Sequence, residues 1–300
     1  MVTDFISLAD WTGEEILAFL DLADDLKQRQ KAGIPHRLLE GKTLAMIFEK
    51  PSLRTRITFQ TGIFQLGGTS VIIDTLLGKR ESVPDVARNL ERWTDGIMAR
   101  TFRHEHVIEL AQYAGVPVIN ALTDLMHPCQ ILADAQALRE HKGGDFGSLK
   151  VAFVGDGNNV YHSWAHFAAR LPLNLTLVCP PGYEPDETIV TEAKAEAAGE
   201  FVITHDIEGV RDADAVYTDV WASMGQEEEA ESRAKLFAPY QVNARLMGLA
   251  KPDAIFMHCL PAHRGCEVTD DVIDSPNSVV FDQAENRLHA QKAIMATLMR

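Results

Sequence analysis

The feature that most constrains this sequence is a repeated alternation of short apolar runs with segments whose apolar residues recur at helical spacing. Thr43 to Phe48 form a short apolar run typical of a buried strand. Phe59, Ile63 and Leu66 then follow at the i, i+4, i+7 spacing of one helix face. Short apolar strands that alternate with helices favour parallel sheets covered on both faces, so we expect an α/β fold.

A polar, glycine-rich stretch, HKGGDFGS at 141–148, separates two such series and is typical of a domain junction. We therefore predict two α/β domains, each a mostly parallel sheet flanked by helices, over residues 1–140 and 149–285. A C-terminal helix at about 286–300 is expected to pack back on the first domain. Further strands are predicted at 71–73, 96–99, 116–119, 151–154, 175–178, 201–204, 215–218 and 254–257.

Charge and cysteine usage exclude several classes of protein. A formal net charge of -15 repels nucleic acid and acidic membranes. No segment approaches the roughly 20 apolar residues of a membrane span, and the acidic start MVTDFISLADWTGEE does not resemble a targeting peptide. The four cysteines lack CxxC spacing, and His258 and His263 lack the spacing and partners of a metal site. We expect a cytoplasmic protein with no metal and no nucleic-acid or membrane partner.

Polar clusters follow the predicted strands, which is where open α/β sheets bind ligands. In FEKPSLRTR, Ser52 is a favourable N-cap, and the amides that follow it, with Arg54 and Thr55, suit a phosphate dianion. A capped helix with solvated arginines explains that motif equally well. Arg100 follows another predicted strand and could reach the same anion.

Two further clusters carry groups that suit a carbonyl or an amine. In HPCQ, His127 and Gln130 can offer hydrogen bonds to a carbonyl oxygen and an amide, although a packed histidine is the simpler interpretation. In HCLPAHRG, Cys259 falls at the rim of a sheet, and an inert buried cysteine is the alternative.

The second half contains two more loops after strands. VGDGNN has Val160 where a dinucleotide-binding motif has its third glycine, which disfavours a nicotinamide site. Asn159 then remains as a polar group at a helix start. DVWASMG supplies Asp219, a hydroxyl and exposed backbone, which together suit an amino acid's ammonium and carboxylate.

Taken in order, these motifs closely resemble those of the ornithine carbamoyltransferases, over a span from about Phe48 to Arg287. FEKPSLRTR resembles the family's phosphate-binding signature and HPCQ its carbamoyl-binding motif. HCLPAHRG resembles the segment with the reactive cysteine, and DVWASMG the loop that separates ornithine users from aspartate users. The resemblance implies transfer of a carbamoyl group from carbamoyl phosphate to the δ-amine of L-ornithine, without a cofactor, in arginine metabolism. The products are citrulline and phosphate.

The resemblance also implies where each substrate binds: carbamoyl phosphate in the domain at 1–140 and ornithine in the domain at 149–285. The implied carbamoyl phosphate contacts are Ser52, Leu53, Arg54, Thr55, Arg100, His127, Gln130, Cys259, Leu260 and Arg287. The implied ornithine contacts are Asn159, Asp219, Ser223 and Met224. Catalytic roles are implied for Arg54, Arg100, His127 and Cys259, with Cys259 as the proton acceptor.

Quaternary structure follows from the same resemblance. It implies a homotrimer or a multiple of trimers, in which the loop Asp74 to Ser82 helps close the carbamoyl phosphate site of a neighbouring subunit. Arg56 we assign to structure, pairing with a carboxylate in the first domain, because one strand-to-helix turn cannot easily aim both it and Arg54 at one anion.

Three residues depart from the family pattern. Leu53 replaces a threonine, Leu76 replaces a polar residue, and Cys266 replaces a glutamate. Two alternatives to the implied activity stay open. One is a carbamoyltransferase for another amine, such as putrescine or an acylated ornithine, and the other is a binding or regulatory protein that has lost catalysis.

Overall fold

The structure is a computed structural model that describes residues 4–222 and 230–300. The chain divides into two compact units, one made of Met1–Gln136 and Glu285–Arg300 and the other of Ala137–Ala284. Each unit contains a parallel sheet flanked by helices, which confirms the predicted fold class. Within the described ranges, no helix combines the length and apolar character needed to cross a membrane.

The first unit contains a four-stranded parallel sheet in the order β2-β1-β3-β4. β1 lies inside the sheet, and its residues from Leu44 onward are buried, as its continuous apolar run predicted. The strands are β1 (Thr43–Phe48), β2 (Thr69–Asp74), β3 (Gly96–Arg100) and β4 (Val118–Leu122). The helices are α1 (Gly13–Lys31), α2 (Leu53–Gln65), α3 (Val83–Leu90), α4 (His104–Tyr113) and α5 (Pro128–Lys142).

The second unit contains a five-stranded parallel sheet in the order β7-β6-β5-β8-β9. Its strands are β5 (Lys150–Val154), β6 (Asn174–Val178), β7 (Phe201–Thr204), β8 (Ala215–Thr218) and β9 (Ile255–His258). Its helices are α6 (Asn159–Arg170), α7 (Glu187–Glu196), α8 (Ala230–Phe237), α9 (Ala244–Met247), α10 (Asp270–Ile273) and the start of α11 (Val280–Leu298).

Strand order determines where each sheet can bind a ligand. In the first sheet the chain leaves β1 toward β2 but leaves β3 toward β4, so the loops after β1 and β3 diverge at a topological switch point. In the second sheet the equivalent pair is β5 and β8. Ligands bind at such points in open α/β sheets. The motifs FEKPSLRTR, VGDGNN and DVWASMG begin at or just after the ends of β1, β5 and β8, and Arg100 is the last residue of β3.

The C-terminal part of α11 packs within the first unit. Lys27 Nζ donates to Asn286 Oδ1 at 2.6 Å. Lys292 is fully buried, and its Nζ lies 2.8 Å from Gln30 Oε1 and 3.0 Å from Gln65 Oε1. Gly62 of α2 leaves room for this helix, since a Cβ there would lie 3.0 Å from Met295 Cε.

Candidate active site

The loop after β1 leads directly into α2 and carries the first predicted cluster. Ser52 occupies the N-cap position in an extended conformation, as predicted, but its hydroxyl makes no capping hydrogen bond. First-turn amides have no partner within their own helix, so this turn keeps donors suited to an anion. Arg54 is half-buried on the same turn, whereas the Leu53 side chain is exposed.

Thr55 joins two buried arginines in the first unit. Its Oγ1 accepts hydrogen bonds from Arg100 Nη1 at 3.4 Å and from Arg287 Nη2 at 3.1 Å. Arg287 Nη1 also donates to Gln130 Oε1 at 2.5 Å. The structure therefore brings together four of the sequence-predicted residues, although they come from four different elements.

The Gln130 amide has a fixed orientation. Its Nε2 donates to Asp134 Oδ1 at 2.8 Å, and both side chains are buried. Because the nitrogen faces Asp134, the oxygen faces Arg287 and has a second lone pair. Gln130 is thus arranged as an acceptor, whereas the sequence left both its donor and acceptor roles open.

His127 lies just before α5 and is buried. Burial holds the pKa of His127 well below its ordinary value, and the charges of four cations lower it further: Arg287, Arg100, Lys50 and Arg54. The imidazole is therefore neutral near physiological pH and offers one N–H donor. Three of these four cations, Arg287, Arg100 and Arg54, are predicted site residues. The charges of all three therefore act on the same side chain.

Lys50 is a residue that the sequence did not identify as part of this cluster. Its Nζ lies 4.6 Å from the centroid of the Phe102 ring. Burial, with the charge of Arg100 as a second cause, lowers the pKa of Lys50 to about 8. Lysines are usually solvated, and nothing in FEKPSLRTR distinguishes this one from a surface residue.

Arg56 points away from this cluster. Its guanidinium pairs with the carboxylate of Asp74 and lies 4.5 Å from the centroid of the Phe48 ring. This confirms the structural role predicted for it. Leu76, in the loop after β2, is 45% exposed, and its side chain is apolar where the family pattern has a polar residue.

In the second unit, Asp219 follows β8 and lies at the switch point of the sheet. Its Oδ2 accepts a hydrogen bond from Asn158 Nδ2 at 2.8 Å. Its Oδ1 accepts from Cys259 Sγ at 3.0 Å and from the Val220 N–H at 2.8 Å. The thiol is the donor in this contact, and Asp219 is only 9% exposed.

Asn158 is the helix cap in VGDGNN, and Asn159 is the first residue of α6. The Asn158 side-chain oxygen accepts from the Val160 and Tyr161 amides, so its nitrogen must face Asp219. The motif pattern indicated Asn159 and not this neighbour. The preference of asparagine for the N-cap position was the available signal.

Arg233 is another residue of this unit that the sequence motifs did not indicate. Its Nη1 donates to Asp156 Oδ2 at 2.6 Å and to the Trp221 carbonyl at 3.0 Å. It therefore ties the loop after β5 to the loop after β8. Of the predicted ornithine contacts, Ser223 and Met224 lie outside the described residues, as does the last residue of the motif DVWASMG, Gly225.

The HCLPAHRG segment follows β9 and is fixed by a buried pair. His258 Nδ1 accepts the Leu260 N–H at 2.8 Å, and its Nε2 lies 3.2 Å from Glu267 Oε1. Leu260 has a positive φ of 55° and precedes a cis peptide bond to Pro261. Both His258 nitrogens are thus used within the protein. Although Asp219, His258 and Cys259 cluster within 4.8 Å, the histidine has no lone pair left for a metal.

Comparison with known proteins matches each half of the chain to a different domain of one enzyme family. The sequence model for the aspartate/ornithine carbamoyltransferase, carbamoyl-P binding domain, matches residues 3–140, and that for the Asp/Orn binding domain matches residues 147–298. The chain belongs to the aspartate/ornithine carbamoyltransferase family.

Individual members of this family are similar to this chain along nearly their whole length. An ornithine carbamoyltransferase of Thermococcus kodakarensis is 58% identical, covering 99% of this chain and 96% of that protein. An anabolic ornithine carbamoyltransferase of Pyrococcus furiosus is 55% identical, over 99% of this chain and 96% of its own length. The solved structure of ornithine carbamoyltransferase from Pyrococcus furiosus superposes with a TM-score of 0.95 at 55% identity, covering 99% of this chain and 96% of that one.

Family membership confirms the resemblance inferred from the motifs. The match to the Asp/Orn binding domain continues to residue 298, whereas Glu285–Arg300 belong to the first compact unit. Arg287 is therefore matched by one family domain while it packs in the unit that contains the other, through its contacts with Thr55 and Gln130.

Proposed function

We propose that the protein is an ornithine carbamoyltransferase that transfers the carbamoyl group of carbamoyl phosphate to L-ornithine in cytoplasmic arginine metabolism. The observation that carries this proposal is the cluster of Arg54, Arg100 and Arg287 around neutral His127 in the first unit. All of these residues except Arg287 lie in the half that the carbamoyl-P binding domain matches. The Asp219–Cys259 contact, in the half matched by the Asp/Orn binding domain, supports the second substrate.

Carbamoyl phosphate is assigned to the first unit, at residues Ser52, Leu53, Arg54, Thr55, Arg100, His127, Gln130 and Arg287. The first-turn amides and Arg54 neutralise the phosphate dianion. Arg100 and the neutral His127 N–H donate to the carbamoyl oxygen, where negative charge develops in the transition state. Gln130 Oε1 accepts from the carbamoyl nitrogen through its second lone pair.

Ornithine is assigned to the second unit, with Asn159, Asp219, Ser223 and Met224 as its contacts and Cys259 and Leu260 at the reacting end. Asp219 supplies the negative charge that a cationic amino acid requires. A protonated amine is not a nucleophile, so the δ-amine must lose a proton before or during attack. We assign this proton to Cys259 Sγ, while the S–H proton passes to Asp219 Oδ1, which already accepts that hydrogen bond.

The choice of amine is the first prediction. Purified protein with carbamoyl phosphate is expected to form citrulline from L-ornithine, with kcat/KM at least about 100-fold above that for putrescine or an acylated ornithine. Putrescine lacks the α-carboxylate, and an acylated ornithine lacks the α-ammonium, so each leaves polar groups of the site without a partner. A colorimetric ureido assay covers all three amines. Equal or greater activity with putrescine would reassign the substrate, and no activity with any amine would favour a binding protein.

We also propose a homotrimer, or a multiple of trimers, with carbamoyl phosphate sites shared between subunits. Apolar side chains of α2 and of the edge strand β2 support a contact with a second copy, because large ones are exposed there: Leu53, Ile57, Phe64 and Val71. Lys79 and Arg80 are exposed in the loop after β2 and supply the charge that Leu76 lacks. Ser82 has another task, since its hydroxyl caps α3 through Asp85.

Hybrid assemblies test the shared site. Subunits with Arg54→Ala are mixed with subunits carrying Lys79→Ala and Arg80→Ala, after each parent is shown to be assembled and inactive. In a cyclic trimer with random mixing, about a quarter of the sites join an intact Arg54 to an intact loop, so about a quarter of wild-type activity is expected. Ser82 is left unchanged to protect the helix cap. Hybrids no more active than their parents would mean that each chain builds its site alone.

A further inference from the structure

Glu49 is a buried carboxylate in the motif FEKPSLRTR that the mechanism above does not use. Its side chain is 2% exposed. Oε1 accepts the Leu77 N–H at 2.8 Å, and Oε2 accepts the Phe102 N–H at 2.7 Å. The Glu49 N–H in turn donates to the Arg100 carbonyl at 3.0 Å. One residue after β1 thus bonds to the loops after both β2 and β3.

We propose that Glu49 is a positioning residue for carbamoyl phosphate, a role that rests on the proposed function. It fixes the main chain beside Arg100, and so the guanidinium that donates to the carbamoyl oxygen. It also fixes the loop that carries Lys79 and Arg80. Glu49 touches no substrate itself and acts through these two loops.

Packing alone does not fix the loop after β2. A cavity of about 680 Å³ separates this loop from the start of α4. The cavity is lined by Leu76, Lys79 and Ser82 on the loop side and by Phe102 and His106 opposite. Leu77 packs in the core and donates its N–H to Glu49, so both contacts hold the loop at this residue.

The chemistry of a carboxylate matters here because two N–H donors approach its two oxygens. Glu49→Gln keeps the shape but has only one acceptor oxygen. In either amide orientation an NH2 group faces a backbone N–H at 2.7 or 2.8 Å, donor against donor. One of the two loops must then move away, and a displacement of about 1 Å can cost about 100-fold in rate.

Steady-state kinetics of the full-length Glu49→Gln enzyme test the proposal. We expect kcat/KM for carbamoyl phosphate to fall about 100-fold, while the KM for ornithine changes less than about twofold. Glu91→Gln is the matched control. Glu91 is a carboxylate of the same unit that also accepts a backbone N–H, that of Gly115, but it lies at the end of α3. Its kinetics should remain within about twofold of wild type.

A purely structural role for Glu49 predicts a different result. The melting temperature would fall in both variants, and both would keep wild-type kinetics per folded molecule, which would overturn the proposal. If Glu49→Gln does not fold, Glu49→Asp is measured by the same criterion, because its shorter side chain cannot reach both N–H groups. The wild-type enzyme is assayed in parallel. Absence of citrulline there would refute the proposed function, whereas normal wild-type turnover with normal variant kinetics would refute only the role of Glu49.

Discussion

Replacing Arg54 with alanine is expected to lower kcat/KM for carbamoyl phosphate by about 10²- to 10³-fold. Arg54 lies on the first turn of α2, and its charge acts on the pKa of buried His127. A guanidinium in such a place forms charge-assisted hydrogen bonds to a phosphate, and these are stronger than neutral ones. Phosphate is also the leaving group, so the same interaction stabilises the transition state. Initial-rate measurements with varied carbamoyl phosphate at saturating ornithine provide the check.

Arg56→Ala is the matched control for that experiment, because Arg56 lies on the same turn of the same helix. Its partners are Asp74 and the Phe48 ring, both within the first unit. Asp74 is well exposed, so the ion pair contributes at most about 1 kcal/mol. We expect a lower melting temperature and kinetics within about fivefold of wild type. Similar kinetic losses in both variants would contradict the assignment of phosphate binding to Arg54 and of a structural role to Arg56.

The fold was largely predictable because its signals are local. Buried parallel strands give continuous apolar runs. All nine strands found among the described residues lie where strands were predicted, with ends that differ by a few residues. The glycine-rich stretch at 141–148 was the predicted junction, whereas the two compact units divide between Gln136 and Ala137, inside α5. Strand order is not local, and no pattern along the chain indicates that β1 lies between β2 and β3.

The candidate site was predictable only where a motif carries it. Arg54, Thr55, Arg100, His127 and Gln130 came from motifs, and the structure places them in one unit with their charges and hydrogen bonds connected. Residues that act through partners distant in sequence were missed. Glu49 is recognised only when the amides of Leu77 and Phe102 are seen at its carboxylate, and Arg233 only when Trp221 and Asp156 are seen beside it.

Asp219 is where the next largest effect is expected. Asp219→Asn should raise the KM for ornithine by about 10²-fold, because it removes the negative charge that attracts the cationic substrate. The amide cannot restore the network either. In one orientation its NH2 faces Asn158 Nδ2, which is itself a donor, and Asn158 cannot flip because its oxygen caps α6. In the other orientation it faces the Cys259 thiol and the Val220 N–H, which are also donors.

Asp219→Asn should leave carbamoyl phosphate binding unchanged, since the contacts assigned to carbamoyl phosphate belong to the first unit. A calorimetric titration with inorganic phosphate is therefore expected to give a dissociation constant within about twofold of wild type. Weakened phosphate binding with an unchanged ornithine KM would mean that the two half-sites have been assigned the wrong way round.

Measuring Cys259→Ser beside Asp219→Asn distinguishes the role of the Asp219 charge in ornithine binding from the role of Cys259 in proton transfer. A serine hydroxyl can donate to Asp219 Oδ1 as the thiol does, so the ornithine KM should change by no more than about threefold. A hydroxyl has a much higher ordinary pKa than a thiol, so it gives its own proton to Asp219 far less readily and relays the amine proton less well. We therefore expect kcat to fall and the pH dependence of kcat to shift. If kcat and its pH profile instead match wild type while Asp219→Asn still loses ornithine binding, the carboxylate alone manages the amine proton, and Cys259 serves only to orient it.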